Sequence, residues 1–217
     1  MIHPNTEVRF VNANIGYGVF ATADIPRGTI VYVKDRLEIE LSDKDFNALD
    51  ECHRAIAGKY SYIDEKGVRI LSWDHAKYVN HRCDCNTIST GYGFEIAIRN
   101  IWKGEEICDE YGLFNIEEEV PLSCNCHNCR KTLRPDDIER FHEAWDMQIL
   151  SAMEKVIDVH QPLMEFMDPE ARKRLRAYLC GQEPYTSVLA LRCNRSIGGA
   201  SHACAEIPQP EPLRLGG

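Results

Sequence analysis

The sequence has no apolar run near the roughly 20 residues that cross a bilayer, and its opening Met1-Ile2-His3-Pro4-Asn5 lacks the charged and apolar regions of a signal peptide. Both absences argue against a membrane or secreted protein and point to a soluble intracellular one, cytoplasmic or nuclear. A basic surplus is missing too: 25 Lys and Arg stand against 34 Asp and Glu, a net charge of -9. Phosphate neutralisation needs a basic surface, so direct nucleic-acid binding is not expected. A basic protein or peptide suits that field better, although surplus acid equally serves solubility. Internal repeats and low-complexity blocks are absent as well.

What is present is an ordinary globular composition, 44% hydrophobic and 27% charged over 217 residues, enough for one catalytic-sized unit and a smaller extension. Ten cysteines in a reducing compartment read as metal ligands before they read as disulfides.

Short β-prone runs separated by turn residues fill the first half: Val8 to Val11, Gly18 to Ala21, Thr29 to Val33, Tyr60 to Ile63, Val68 to Leu71 and Phe94 to Ile98. Spaced apolar residues Phe46, Leu49, Cys52 and Ile56 predict one helix over 42–57, with Ser42 or Asp43 as its N-cap. The fold class is therefore mostly β with α. After Pro135 the pattern turns helical, with Ile138, Phe141, Trp145, Leu150, Met153 and Ile157 on one face. Asp168-Pro169 opens a second helix that Gly181 stops. Its Arg172, Lys173, Arg174 and Arg176 read as a solvated face.

Three segments carry chemistry together: Gly16-Tyr17-Gly18-Val19-Phe20-Ala21, then Tyr78-Val79-Asn80-His81-Arg82-Cys83-Asp84-Cys85-Asn86, then Gly104-Glu105-Glu106-Ile107-Cys108-Asp109-Glu110-Tyr111-Gly112. Each alone is common, as a hairpin turn, a buried polar pair and a surface turn. In this order and at these separations they resemble the SET-domain signature of protein-lysine methyltransferases, and Cys124-Asn125-Cys126-His127-Asn128-Cys129 resembles the post-SET zinc motif. The likeness covers about residues 7 to 115 and the cysteine segment after them.

That resemblance implies a fold of small sheets around a knot-like core, followed here by a helical C-terminal extension. The resemblance implies a SET domain over 1–118 and a post-SET-like zinc segment over 119–133, while the helical pattern gives an extension over 134–192 and the Gly- and Pro-rich end a flexible tail over 193–217. It further implies S-adenosylmethionine as methyl donor, held by Gly16, Tyr17, Gly18, Asn80, His81 and Tyr111, with Tyr111 as the catalytic residue. Methyl transfer to an amine is an in-line displacement that needs placement above all, worth roughly 7–11 kcal/mol in well-oriented systems. The lysine must arrive neutral, and a dry channel beside a positive sulfur lowers its pKa. Tyr62 is the first candidate for the channel wall, with Tyr60 and Tyr92 as further ones, although aromatic residues in strands more often serve as core.

Cys83, Cys124, Cys126 and Cys129 supply the four thiolates of a closed zinc site in the pattern the family predicts. Only two residues separate Cys126 from Cys129 where the family usually has four, so His127 is a competing ligand. Cys85 stands where a proline is usual, and competes with Cys83. Asp109 occupies a position, two before the tyrosine, where the family often carries Phe or Tyr; facing the channel, its charge would attract lysine while favouring the ammonium. The leading function is methyl transfer to lysine in a basic protein, a histone-like one being one option and a ribosomal one another. A catalytically weak peptide-binding scaffold and a methyltransferase of a non-protein amine are the alternatives. Oligomeric state and substrate identity are not legible.

Overall fold

A computed structural model describes residues 1–193 except 123, 125 and 128. The tail expected over 193–217 lies outside the described residues from Asn194 onward, and Cys193, the one described residue of it, donates its N–H to Asn115 Oδ1 at 2.8 Å.

Four small sheets make up the β part. The first has the order β1-β2-β10-β7, from β1 (Thr6–Asn12), β2 (Gly16–Ala21), β10 (Glu106–Asp109) and β7 (Asn80–His81). Here β10 and β7 run parallel, with Cys108 opposite Asn80 and Asp109 opposite His81. Parallel neighbours need a crossover, and this one brings two of the three signature segments side by side. The second sheet, β3-β9-β8, joins β3 (Ile30–Val33), β9 (Phe94–Ala97) and β8 (Thr87–Ser89). All residues of β3 and β9 are buried, Glu95 included, as expected when both faces of a sheet are covered. The third, β4-β6-β5, takes β4 (Ile39–Leu41), β6 (Arg69–Leu71) and β5 (Ser61–Ile63). Last, β11 (Val120–Pro121) pairs with β12 (Thr132–Leu133) and so closes the cysteine segment into a loop.

The helix expected over 42–57 is two helices, α1 (Asp43–Ala48) and α2 (Glu51–Tyr60). Ser42 and Asp45 form a capping box on α1, and Asp50 accepts from His53 N, capping a new helix. Ile56, expected on the buried face, is 55% exposed.

The extension holds α3 (Asp137–Met153) and α4 (Pro169–Leu179). The first ends before Ile157, which is 78% exposed. Asp168 caps the second by accepting from Glu170 N and Ala171 N, with Pro169 in its first turn. On α4, Arg172 pairs with Glu165, Lys173 with Glu170, and Arg174 donates to Gly91 O, in keeping with a solvated, self-paired face. One core runs through both halves: Ile30, Phe94 and Ile96 of the β part pack in the same cluster as Ile138, Trp145, Ile149 and Leu175 of the helices. No helix among the described residues is long and apolar enough to cross a membrane.

Candidate active site

The hairpin of β1 and β2 carries the first signature segment. Asn12 Oδ1 accepts from Asn14 N and Ile15 N, which shapes the turn, and Gly16 follows at φ +86°, a conformation that L side chains rarely adopt. Gly18 is glycine for a different reason. A Cβ there would sit 2.4 Å from Glu106 Oε1 and 2.9 Å from Asn80 Nδ2. Asn80 explains that closeness, since its amide donates to Tyr17 O at 3.1 Å and to Glu106 Oε1 at 2.8 Å. All three segments therefore meet at Asn80. Above them Tyr17 joins a chain of rings, 5.8 Å from Phe10 and 6.0 Å from Tyr78, which in turn lies 5.5 Å from Tyr60.

Tyr111 follows β10 at the start of a single helical turn. Its hydroxyl donates to Val79 O and its backbone N–H donates to His81 Nδ1 at 3.2 Å. Burial, and next the charge of Asp109, pushes its phenol above the ordinary tyrosine range. His81 is held down at about 4 by burial and then by the Arg130 charge, which suits a ring nitrogen accepting from a backbone amide. On the other side Phe114 meets the Tyr111 ring at 5.1 Å and stacks on Tyr62 at 5.0 Å. Tyr62 thus reaches Tyr111 through Phe114, a residue that the sequence reading passed over; its spacing of three after Tyr111 was the available signal.

Tyr92 lies elsewhere. It is 1% exposed and packs against Phe94, Tyr178 and Tyr185, with its hydroxyl accepting from Thr186 N at 3.0 Å. It packs between sheet and extension, and none of these ring contacts joins it to the Tyr62–Phe114–Tyr111 group. Tyr60 belongs to the ring chain on the Tyr17 side and not to the Tyr62 side. Asp109 is 1% exposed and faces inward, its Oδ2 3.5 Å from Ser89 Oγ.

The Sγ atoms of Cys83, Cys124, Cys126 and Cys129 all lie within 4.8 Å of one another. Cys85 and His127, the competing ligands, are not in this group: Cys85 is buried apart and His127 is exposed. A tetrahedral ion with about 2.3 Å bonds to sulfur sets its sulfurs about 3.8 Å apart, so the group fits such an ion. Backbone amides support two of the sulfurs, Arg130 N donating to Cys83 Sγ at 3.4 Å and Lys131 N to Cys129 Sγ at 3.3 Å. The next residue missed in the sequence is Arg130, whose guanidinium reaches Glu110 Oε1 at 2.5 Å and Asp137 Oδ2 at 3.3 Å. It thereby joins the cysteine segment, the neighbour of Tyr111 and α3.

Residues 16–112, which hold all three segments, match the SET domain family. This stretch is a SET domain. Among curated relatives, the SET-containing part is 30% identical over 131 residues to histone-lysine N-methyltransferase trr of Drosophila melanogaster, covering 54% of this chain and 5% of that protein. It is 29% identical over 131 residues to histone-lysine N-methyltransferase 2D of Homo sapiens, covering 54% and 2%. The chain thus spans only a few per cent of the length of these relatives. A crystal structure of KRYPTONITE in complex with mCHG DNA and SAH aligns at 22% identity and a TM-score of 0.42, over 61% of this chain and 29% of that one.

Proposed function

We propose that this SET domain transfers a methyl group from S-adenosylmethionine to the side-chain amine of lysine in a protein substrate. The observation that carries this reading is the position of the Tyr111 hydroxyl on Val79 O, beside the Asn80 junction on one side and the Tyr62–Phe114 stack on the other. The names of the relatives, histone-lysine N-methyltransferases, support the same chemistry. A basic substrate inside a reducing compartment, histone-like or otherwise, suits the net charge of -9.

When bound, S-adenosylmethionine supplies an electrophilic methyl on a cationic sulfur. Gly16, Tyr17, Gly18, Asn80 and His81 would hold it, and the tilted faces of Tyr17 and Tyr78 offer a planar base somewhere to rest. Neutral His81 adds no positive charge beside a cation. Tyr111 stays a phenol, since its pKa is raised, and so it orients the amine with its oxygen instead of acting as an anionic base. The same oxygen and the Val79 carbonyl can hold polarised C–H groups through weak hydrogen bonds. Tyr62 and Phe114 wall the lysine side and keep water from it.

Cys83, Cys124, Cys126 and Cys129 would hold a structural zinc ion, which ties the loop between β11 and β12 to the segment that carries Asn80 and His81. The test is transfer of labelled methyl groups to a panel of basic proteins and peptides by wild type and Tyr111→Phe. Transfer by wild type and a loss of about 100-fold or more in the variant is expected. No transfer by folded, donor-binding wild type would overturn the proposal in favour of a peptide-binding scaffold.

A further inference from the structure

Tyr32, Glu95 and Ser89 are cross-strand neighbours on β3, β9 and β8, so their side chains share one face of that sheet. At one end of the row Ser89 Oγ reaches Asp109 Oδ2. At the other, Tyr32 donates to Glu38 Oε1 at 2.9 Å and is hydrogen-bonded to Tyr62. Tyr62 stacks on Phe114, which meets Tyr111, two residues beyond Asp109. These contacts close a ring of side chains with two carboxyls on its wall.

Those carboxyls, Asp109 at 1% and Glu95 at 9% exposure, hydrogen-bond to each other. Asp109 Oδ1 finds no N–H or hydroxyl donor among the described residues. Two buried carboxyls in contact cannot both ionise cheaply, and such pairs share a proton. Among the described residues, the titratable groups that interact with them include Glu110 and Cys108 beside Asp109, Cys85 from the loop before β8, Glu38 and the amino terminus near Glu95, and the hydroxyls of Tyr62 and Tyr111. The only cation in that set is the amino terminus, which is already paired with Asp35 and Glu38.

Resting on the lysine reading above, we propose that the Asp109–Glu95 pair is the proton acceptor for the substrate amine. Asp109 takes a proton from the incoming lysine ammonium: an N–H bond breaks, an O–H bond forms on the carboxyl, and the electron pair left on nitrogen is the one methyl transfer requires. The product leaves as the methylated ammonium, and Asp109 returns its proton to solvent before the next turnover. Burial, and then the charge of Glu110, holds Asp109 up at about 7, while burial and the charge of Asp109 raise Glu95 as well. The hydrogen bond between them lowers Asp109 and raises Glu95, so the shared proton belongs to Glu95 and Asp109 is the one free to accept. An acceptor near 7 suits a proton whose release is needed at neutral pH. The transfer also exchanges a dry ion pair for two neutral groups, which lowers the desolvation cost.

The experiment is the pH dependence of kcat and kcat/KM for a lysine peptide at saturating methyl donor, in wild type, Asp109→Asn and Glu95→Val. Carboxyl 13C titration of the donor-free proteins is the second readout. Wild type should lose kcat/KM tenfold per pH unit below about 7. Asp109→Asn, which removes a buried charge and keeps the shape, should lose at least about tenfold in kcat at pH 7 and recover toward the alkaline range, where free lysine deprotonates unaided. Glu95→Val deletes the hydrogen bond that favours the Asp109 anion, so both the acid limb and the Asp109 titration should move to higher pH. An Asp109→Asn enzyme with the wild-type profile, one that raises KM alone, or two carboxyls titrating independently near 4 would overturn the acceptor role while leaving lysine methyl transfer intact. Wild type without transfer at any pH overturns both.

Discussion

Arg130 donates to Glu110 Oε1 at 2.5 Å, so the residue after the last cysteine of the cluster pairs with the residue before Tyr111. Both side chains are largely buried, at 15% and 2% exposure. Arg130 also lies 4.9 Å over the Phe141 ring of α3. The cysteine segment, the tyrosine turn and the extension are in this way held by one cation.

Removing that cation should be costly. Arg130→Met leaves Glu110 buried with the Gly112 N–H but without its cation, a loss of about 3–5 kcal/mol, to be read as a lower urea midpoint with unchanged m-value. Pairing it with Glu110→Gln should recover part of the loss, because only Asp137, buried and also paired with Arg130, is then left without its cation.

Metal content gives a second expectation. Purified protein should carry one zinc ion per chain by elemental analysis, and Cys83→Ala should lose it together with thermal stability. Chelation should release β11 and β12 first, seen as faster amide exchange over 119–134 than in α3, because the cluster is the main tie on that loop.

The two glycines of the hairpin should separate by mechanism. Gly18→Ala forces a methyl against Glu106 Oε1 and Asn80 Nδ2, so donor binding measured by calorimetry should weaken about tenfold or more. Gly16→Ala meets nothing within 4 Å but is strained at φ +86°; about 1 kcal/mol of stability should go, with a smaller change in donor binding.

Asn115 adopts φ 51° and its amide donates to Ile63 O, Asp64 O and Leu191 O, while its oxygen accepts from Cys193 N. It fastens the end of the extension to β5, one residue after Phe114. Asn115→Ala should cost about 2–4 kcal/mol from the lost hydrogen bonds and the left-handed backbone. It should also raise the peptide KM more than it lowers kcat, since its neighbour Phe114 is the proposed wall of the lysine side.

Acid should destabilise the fold through His3. Burial, and next the charge of His160, lowers its pKa from 6.5 to about 4, and its Nδ1 accepts from Asn5 N at 3.2 Å. The unfolded chain therefore binds the extra proton first. His3's contribution is complete above pH 6.5 and is lost as pH falls through about 4, with a total on the order of 3 kcal/mol. A His3→Asn variant should show a flatter urea midpoint against pH over that window.

Much of this protein was already determined by the order of its residues. The glycine, Asn-His and Glu-Tyr segments, the Cys124, Cys126 and Cys129 run and the Asp168-Pro169 helix start are local patterns whose backbone needs and donor chemistry can be read directly. The break between α1 and α2 was readable too, from Asp50 as a second cap. Tertiary structure alone decided the rest. Tyr62 and Tyr92 are both tyrosines in or beside β-prone runs, yet one faces Phe114 and the other fills the core against Tyr178 and Tyr185, because the extension that covers Tyr92 arrives from some 90 residues later in the chain. Cys83 joined the cluster and Cys85 did not, since the β7–β10 pairing orients that loop. Asp109 found Glu95, and Glu110 found Arg130, across contacts that carry no spacing in sequence; burial and charge pairing are properties of neighbours in space, and only the folded chain supplies those neighbours.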